Sequence, residues 1–255
     1  MQTDNVVGEV SAALKKNGLA DNTLVIFTSD NGCSKAANIK ALAEKGHLVS
    51  AHMRGSKADI WDGGHRVPFI VRWPGKVRSG STSDQLICLT DLFATVSSIV
   101  GTDFPATSCE DSVSFLPALS GNPILSERAG VIHHSFSGHF AYRTGKWKLI
   151  LAKGSGGWSF PKEHQVPKGA SKAQLYNLEA DPGEQVNLYT AKPEIAERLL
   201  AQLTAEVRRG RSTKGRDSKN DTDKIVLWKS ESAAKQSQSK SDSEPAASRK
   251  KRKKS

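Results

Sequence analysis

Val6, Val7, Val10, Ala13 and Leu14 recur at the spacing of one helix face, and Asn17-Gly18 supplies a stop, so the pattern predicts an opening helix. After the turn residues Asp21 and Asn22 comes Leu24-Val25-Ile26-Phe27, a continuous apolar run of the kind found in a strand buried on both faces. A second run, Phe69-Ile70-Val71-Arg72-Trp73, is opened by Pro68 and closed by Pro74-Gly75 and predicts a second strand. Residues 90–100 predict a helix with Leu92, Phe93, Val96 and Val100 on one side and Gly101 as its end. Helix, short loop and doubly buried strand together predict an α/β domain over residues 1–125 with a mostly parallel sheet. In such sheets ligands collect beyond the carboxyl ends of strands, where Ser29-Asp30-Asn31-Gly32 falls.

From Gly130 the pattern shifts to short strands, at 130–134, at 139–143 after the Gly138 turn, and at 147–151. A final helix over 193–208 completes an expected α+β subdomain, residues 126–212, built on a small antiparallel sheet. Past Gly210 the chain becomes rich in Ser, Lys and Asp and ends in Arg249-Lys250-Lys251-Arg252-Lys253-Lys254. Such a segment cannot bury enough apolar surface to offset its ordering entropy, so residues 213–255 are expected to be a disordered basic tail.

That tail changes how the charge is read. The 255-residue chain carries a formal +11, but residues 211–255 hold 14 Lys or Arg against 6 Asp or Glu and account for about +8 of it. The nearly balanced body excludes a basic stripe of the kind that clamps nucleic acid, and leaves polyanion binding as a possibility of the tail alone. Cys33, Cys88 and Cys109 have neither the spacing of a zinc site nor the density of a disulfide scaffold. No run approaches the ~18 apolar residues of a membrane span. Met1 is followed by polar residues, not by the basic and apolar regions of a signal peptide.

Asp30 and Asn31 offer a carboxylate and an amide oxygen, hard donors suited to calcium or magnesium, although Asp-Asn-Gly is also a turn sequence. Lys57 lies in a loop, Arg54 to Pro68, whose glycines allow backbone to approach a ligand closely, and it could neutralise an oxyanion or remain a solvated lysine. Arg54, His65 and Arg66 could join it or form structural pairs. His133 and His134 precede the turn at Ser135-Phe136-Ser137-Gly138, and a hairpin there could turn His134 toward a substrate. Trp158, in a glycine-rich stretch, could stack on a sugar ring or simply pack.

Three stretches together carry a family resemblance. They are the run from Leu19 through Asp30-Asn31-Gly32, the run from Arg54-Gly55-Ser56-Lys57 through Gly63-Gly64-His65-Arg66-Val67-Pro68 to Trp73-Pro74-Gly75, and a C-terminal set. That set comprises Tyr142-Arg143-Thr144-Gly145-Lys146-Trp147-Lys148-Leu149, Gln174-Leu175-Tyr176-Asn177-Leu178 and Asp181-Pro182-Gly183-Glu184. Over roughly residues 5–212 the chain resembles the type I sulfatases of the alkaline phosphatase-like superfamily. The resemblance implies a partial alkaline phosphatase-like fold and metal-assisted hydrolysis of sulfate esters on a sulfated small molecule or carbohydrate. It makes Asp30 and Asn31 ligands of one Ca2+ and Lys57 a contact to the sulfate; Arg54, His65 and His134 stand as candidate substrate contacts from their place in the sequence.

In that family the nucleophile is a formylglycine made from the first residue of Cys/Ser-x-Pro-x-Arg, and the sequence contains no such motif; Ser159-Phe160-Pro161-Lys162-Glu163 comes nearest but ends in glutamate. The resemblance therefore implies the C-terminal part of a sulfatase, inactive alone, whose complete form is periplasmic or secreted. Two other readings are a phosphoryl-transfer member of the superfamily and a non-catalytic module that binds anionic polymers.

Overall fold

A computed structural model describes residues 2–105, 107–125 and 128–229. The chain divides into two discontinuous compact units, one comprising the residues up to Gly32, Arg66–Val131 and Glu206–Lys219. The other comprises Cys33–His65, Ile132–Ala205 and the described residues from Asn220 onward.

The first unit opens with α1 (Gln2–Lys16), whose Asp4 in the first turn and Lys15 and Lys16 in the last complement the helix dipole. No residue of α1 is buried, and Val6 and Val10 of its apolar stripe lie open. β1 (Val25–Thr28) follows in the same unit; the chain then passes through the other unit, with the short helices α2 (Ile39–Glu44) and α3 (Asp62–His65), and returns to the first as β2 (Phe69–Arg72). β1 and β2 pair antiparallel, Val25 opposite Arg72 and Thr28 opposite Phe69.

This corrects the expectation of a mostly parallel sheet. A parallel pair needs a crossover, usually a helix of a dozen residues or so, and the connection here holds only short helices and polar turns. The burial reading is corrected with it: every residue of β1 is only half-buried, and Ile70 of β2 is 61% exposed.

α4 (Asp91–Val100) ends at Gly101, which takes the left-handed φ of +68°. Its inward face is Asp91, Ala94 and Thr95, while Phe93, Val96 and Val100, expected inside, are exposed. The reason is polar. The Asp91 carboxylate accepts from the Cys88 and Val113 amides at 2.8 and 2.9 Å and receives the Arg128 guanidinium on both oxygens, at 2.6 and 2.8 Å. Thr95 Oγ1 accepts from the Phe115 amide at 3.0 Å, just before the short α5 (Leu116–Leu119). A buried carboxylate with these partners fixes the helix rotation more strongly than the apolar stripe does.

The second unit is built on a four-stranded sheet, β3 (Val131–His134), β4 (Phe140–Thr144), β5 (Trp147–Ile150) and β6 (Gln174–Asn177), in that spatial order. β4 and β5 are joined through Gly145, at φ +50°, and pair antiparallel, as do β5 and β6. The sheet is the antiparallel one expected, extended by β6. Ala141, Tyr142, Leu149, Ile150, Leu175 and Tyr176 are buried on it, and Ala141, Ile150 and Tyr176 share an apolar cluster with Ile60 and Trp61. The chain continues into α6 (Pro193–Arg209), which buries Ala196, Leu199 and Leu203 on one face at helical spacing.

Part of the expected tail is held in place. The Thr213 amide and hydroxyl both donate to the Glu110 carbonyl, at 3.1 and 2.7 Å, and Arg209 pairs with Asp217 at 2.9 Å. Residues 230–255, with the terminal basic run, lie outside the described residues. Among the described residues no helix is long and apolar enough to cross a membrane.

Candidate sulfate and metal site

The segment that carries Lys57 is shaped by backbone contacts that leave room for no side chain. Gly55 takes φ +83°, and a Cβ on Gly63 would stand 2.3 Å from the Gly55 carbonyl oxygen. The Gly63 amide donates to the Arg54 carbonyl at 2.7 Å, closing the segment into a tight arch that leads into α3. The Lys57 amide donates to the Cys33 carbonyl at 3.0 Å. Ala58 takes φ +80°, a conformation costing roughly 1–3 kcal/mol for a residue with a Cβ and seen where a surrounding structure enforces it.

What enforces it is Asp59, a fully buried carboxylate. One of its oxygens accepts from the Ser56 amide at 2.8 Å and from the hydroxyls of Ser56 and Ser159; the other accepts from the amides of Trp158 and Ser159, both at 2.9 Å. A buried charge with five donors is well satisfied, and it ties the lysine segment to the loop Gly154–Ser159. Gly157 is needed at that junction because a Cβ would lie 2.3 Å from the Ala58 carbonyl oxygen. Asp59 is not among the residues singled out from the sequence. Its signal was the Ser-x-x-Asp spacing of Ser56 and Asp59, by which a serine amide meets a carboxylate three residues on.

Lys57 is half-buried, and its ammonium has no hydrogen bond or ion pair to any described residue. The other candidates of this unit have partners or are neutral. The Arg54 guanidinium lies 3.7 Å over the Trp61 ring and donates to the Glu184 carbonyl at 2.9 Å. His65 stands against His133 with ring centroids 4.4 Å apart, and the Nε2 atoms of both are shut off from solvent and without a hydrogen bond. Burial, then the Lys148 charge, pushes His65 down to about 4, and the same two causes hold His133 well below the ordinary histidine range. Both rings are neutral at neutral pH and bring no positive charge to an anion. His134 packs its ring edge-on to Phe140, and burial followed by the Lys229 charge lowers it too.

Beneath α3 lies a charged cluster that the sequence reading did not foresee. Lys148, fully buried at the centre of β5, reaches Asp62 at 2.7 Å and Glu184 at 2.8 Å. The other Glu184 oxygen accepts from the Asp62 amide at 2.6 Å. Burial raises Glu184 above the usual carboxylate range, with Lys148 opposing. Tyr176 is pushed up to about 12, first by burial. The cluster bolts the start of α3, and so the end of the lysine arch, to the sheet.

In the first unit, Asp30 and Asn31 follow directly on β1. Asp30 is exposed, and its carboxylate has no partner among the described residues; the Ser29 hydroxyl donates to the Asn31 carbonyl at 2.9 Å and shapes the turn. Two hard oxygen donors at a strand end fit a calcium ion as part of its ligand set, since calcium takes roughly six to eight oxygens. Among the described residues no three His, Cys, Asp or Glu side chains cluster to complete one.

Comparison with known proteins settles the family. The profile of the sulfatase family matches residues 1–102, and that of the C-terminal part of N-sulphoglucosamine sulphohydrolase matches residues 56–212. The chain belongs to the sulfatase family. It is 31% identical over 211 residues to an N-acetylgalactosamine-6-O-sulfatase of Bacteroides thetaiotaomicron, an alignment covering 82% of this sulfatase chain and 40% of that protein. It is 30% identical over 220 residues to the human N-acetylgalactosamine-6-sulfatase, covering 81% and 41%. A solved structure from work on glycosaminoglycan metabolism by Bacteroides thetaiotaomicron superposes with a TM-score of 0.68 at 30% identity, over 80% of this chain and 42% of the other. A Pseudoalteromonas sulfatase at 22% identity, with a TM-score of 0.63, shares the fold. The fold is thus part of the alkaline phosphatase-like architecture, and the relatives are sulfuric ester hydrolases. The sulfatase chain spans about two fifths of the length of these relatives.

Proposed function

We propose that this chain supplies the sulfate-holding lysine and two metal ligands of a sulfatase acting on sulfated carbohydrate. The observation that carries the reading is Lys57, a half-buried ammonium without a described counter-ion, on an arch held in a strained conformation by the buried Asp59. Placing an unpaired cation where solvent is partly excluded has a cost that a bound oxyanion would offset, and a sulfate oxygen is such a partner. A compact ammonium serves as a point charge for a tetrahedral anion without demanding a planar fork.

In this reading Lys57 binds the sulfate ester and withdraws charge from its oxygens, and Asp59 holds the arch that carries the lysine. Asp30 and Asn31 would hold a calcium ion, which when bound would supply Lewis-acid charge stabilisation. Arg54 shapes the arch from behind, through Trp61 and the Glu184 carbonyl. His65, kept neutral, fills space beside His133. Several relatives are named for sulfated sugars, which favours a carbohydrate substrate.

Inorganic sulfate titrated into the purified chain tests the reading. Lys57→Ala is expected to weaken sulfate binding at least about tenfold, the loss of one charge-assisted contact. Unchanged sulfate affinity in that variant would remove Lys57 from the site. Because the chain has no Cys/Ser-x-Pro-x-Arg motif, no calcium-dependent release of a phenol from an aryl sulfate is expected from it alone. Release at a rate abolished by Lys57→Ala would show that the chain holds its own nucleophile.

A further inference from the structure

Within the second unit, two aromatic side chains stand side by side on the surface, on loops anchored to the segment that carries Lys57. Phe136, at the tip of the β3–β4 connection, is 73% exposed, and Trp158, on the loop Gly154–Ser159, is 38% exposed. Their ring centroids are 5.4 Å apart and the rings are inclined at 55°. Both backbones rest on the two residues that follow Lys57: the Phe136 amide donates to the Ala58 carbonyl at 2.9 Å, and the Trp158 amide to Asp59 at 2.9 Å. Phe136 and Trp158 thus sit on the same rigid support as the lysine.

Single exposed apolar side chains are ordinary, but two large rings in mutual contact form a local apolar patch, the kind of surface binding sites use, and support this firm is not what a loosely packed loop tip provides. The surroundings identify the partner. The Lys35 ammonium donates to the Trp158 carbonyl, the Ser137 amide donates to the Gly156 carbonyl at 3.3 Å, and Ser137, next to Phe136 in the chain, is exposed. Apolar rings flanked by an ammonium and a hydroxyl-bearing residue suit a molecule with an apolar face and a polar edge. A pyranose has a face of C–H bonds and an edge of hydroxyls; a steroid is apolar on both and calls for an enclosed apolar pocket.

Resting on the sulfate reading of Lys57, we infer that Phe136 and Trp158 form a sugar-stacking platform that receives the pyranose ring of the sulfated carbohydrate whose sulfate Lys57 holds. The pair divides recognition. Lys57 takes the anion, and the rings take the sugar body.

The test titrates wild-type chain, Trp158→Ala, Trp158→Phe, Phe136→Ala and Lys57→Ala with four probes: inorganic sulfate, N-acetylgalactosamine 6-sulfate, unsulfated N-acetylgalactosamine and a steroid sulfate. Loss of either ring is expected to lower affinity for the sulfated sugar about tenfold and to abolish the weak saturation-transfer NMR signal of the unsulfated sugar, while leaving inorganic sulfate binding unchanged. Trp158→Phe, which keeps an aromatic face, is expected to retain most of the sugar affinity. Wild-type affinity for both sugars in both alanine variants, no sugar binding by the wild-type chain, or a larger loss for the steroid sulfate than for the sugar sulfate would each overturn the platform. Failure of the sulfate reading shows separately, as unchanged inorganic sulfate affinity in Lys57→Ala, and the unsulfated sugar still decides the platform in that case.

Discussion

The two units solve the problem of burial in opposite ways. The second has a sheet with apolar residues at or near zero exposure and, in its middle, a lysine between two carboxylates. The first buries few large apolar side chains, Phe115 foremost, and leaves open Val6, Val10, Ile70, Phe93, Val96 and Val100. Its order rests on polar fasteners, above all the doubly bonded Asp91–Arg128 pair. Stability and apolar surface are therefore distributed unequally along one chain. Substitutions of the same chemical kind should have very different consequences in the two units.

The largest difference is expected at Lys148. Removing its ammonium in Lys148→Ala strands two buried carboxylates, a change that typically costs about 3–5 kcal/mol, and should lower the urea midpoint of the second unit sharply. A Lys148→Met variant that unfolds like wild type would show the charges to be dispensable and would sink the picture of a bolt beneath α3.

Next comes acid. His65 is lowered in the folded state, to about 4, so between that value and its unfolded pKa near 6.5 the unfolded chain binds more protons. The stability that follows is fully present above about pH 6.5 and is lost as pH falls toward 4, by up to ~3 kcal/mol, with His133 adding loss in the same direction. Denaturation midpoints compared at pH 7 and pH 5 should show the drop, and His65→Gln should reduce it. A drop of the same size in His65→Gln would assign it to other groups.

The smallest effect is expected in the first unit. Val96 is 49% exposed, and Val96→Asp should change stability by no more than about 0.5 kcal/mol. A loss of several times that amount would mean that another surface covers this face of α4 in the purified protein.

Much of this was legible in the sequence. The helix stop at Gly101, the two strands of the first unit, the short strands after Gly130 and the last helix all follow from periodicity and turn residues. What failed did so for one reason. Apolar runs report that a face prefers burial, not that this chain buries it, and so the doubly buried parallel strand became half-buried and antiparallel. The rotation of α4 was decided by Asp91, whose partners Cys88, Val113 and Arg128 come from other segments. The site divides in the same way. Lys57, Asp30 and Asn31 stand in local motifs and so could be put forward as candidates, whereas Asp59, Lys148 and Glu184 derive their structural importance from contacts made across many residues of sequence.

The five hydrogen bonds to Asp59 have a mechanical consequence. Because a single carboxylate receives the Ser56 amide on one oxygen and the Trp158 and Ser159 amides on the other, the lysine arch and the glycine loop cannot drift apart without stripping a buried charge of its donors. The two loops behave as the jaws of a fixed caliper. A caliper that cannot open measures, and under the proposed roles of Lys57 and the two rings its setting would select ligands by the separation between their anionic group and their ring.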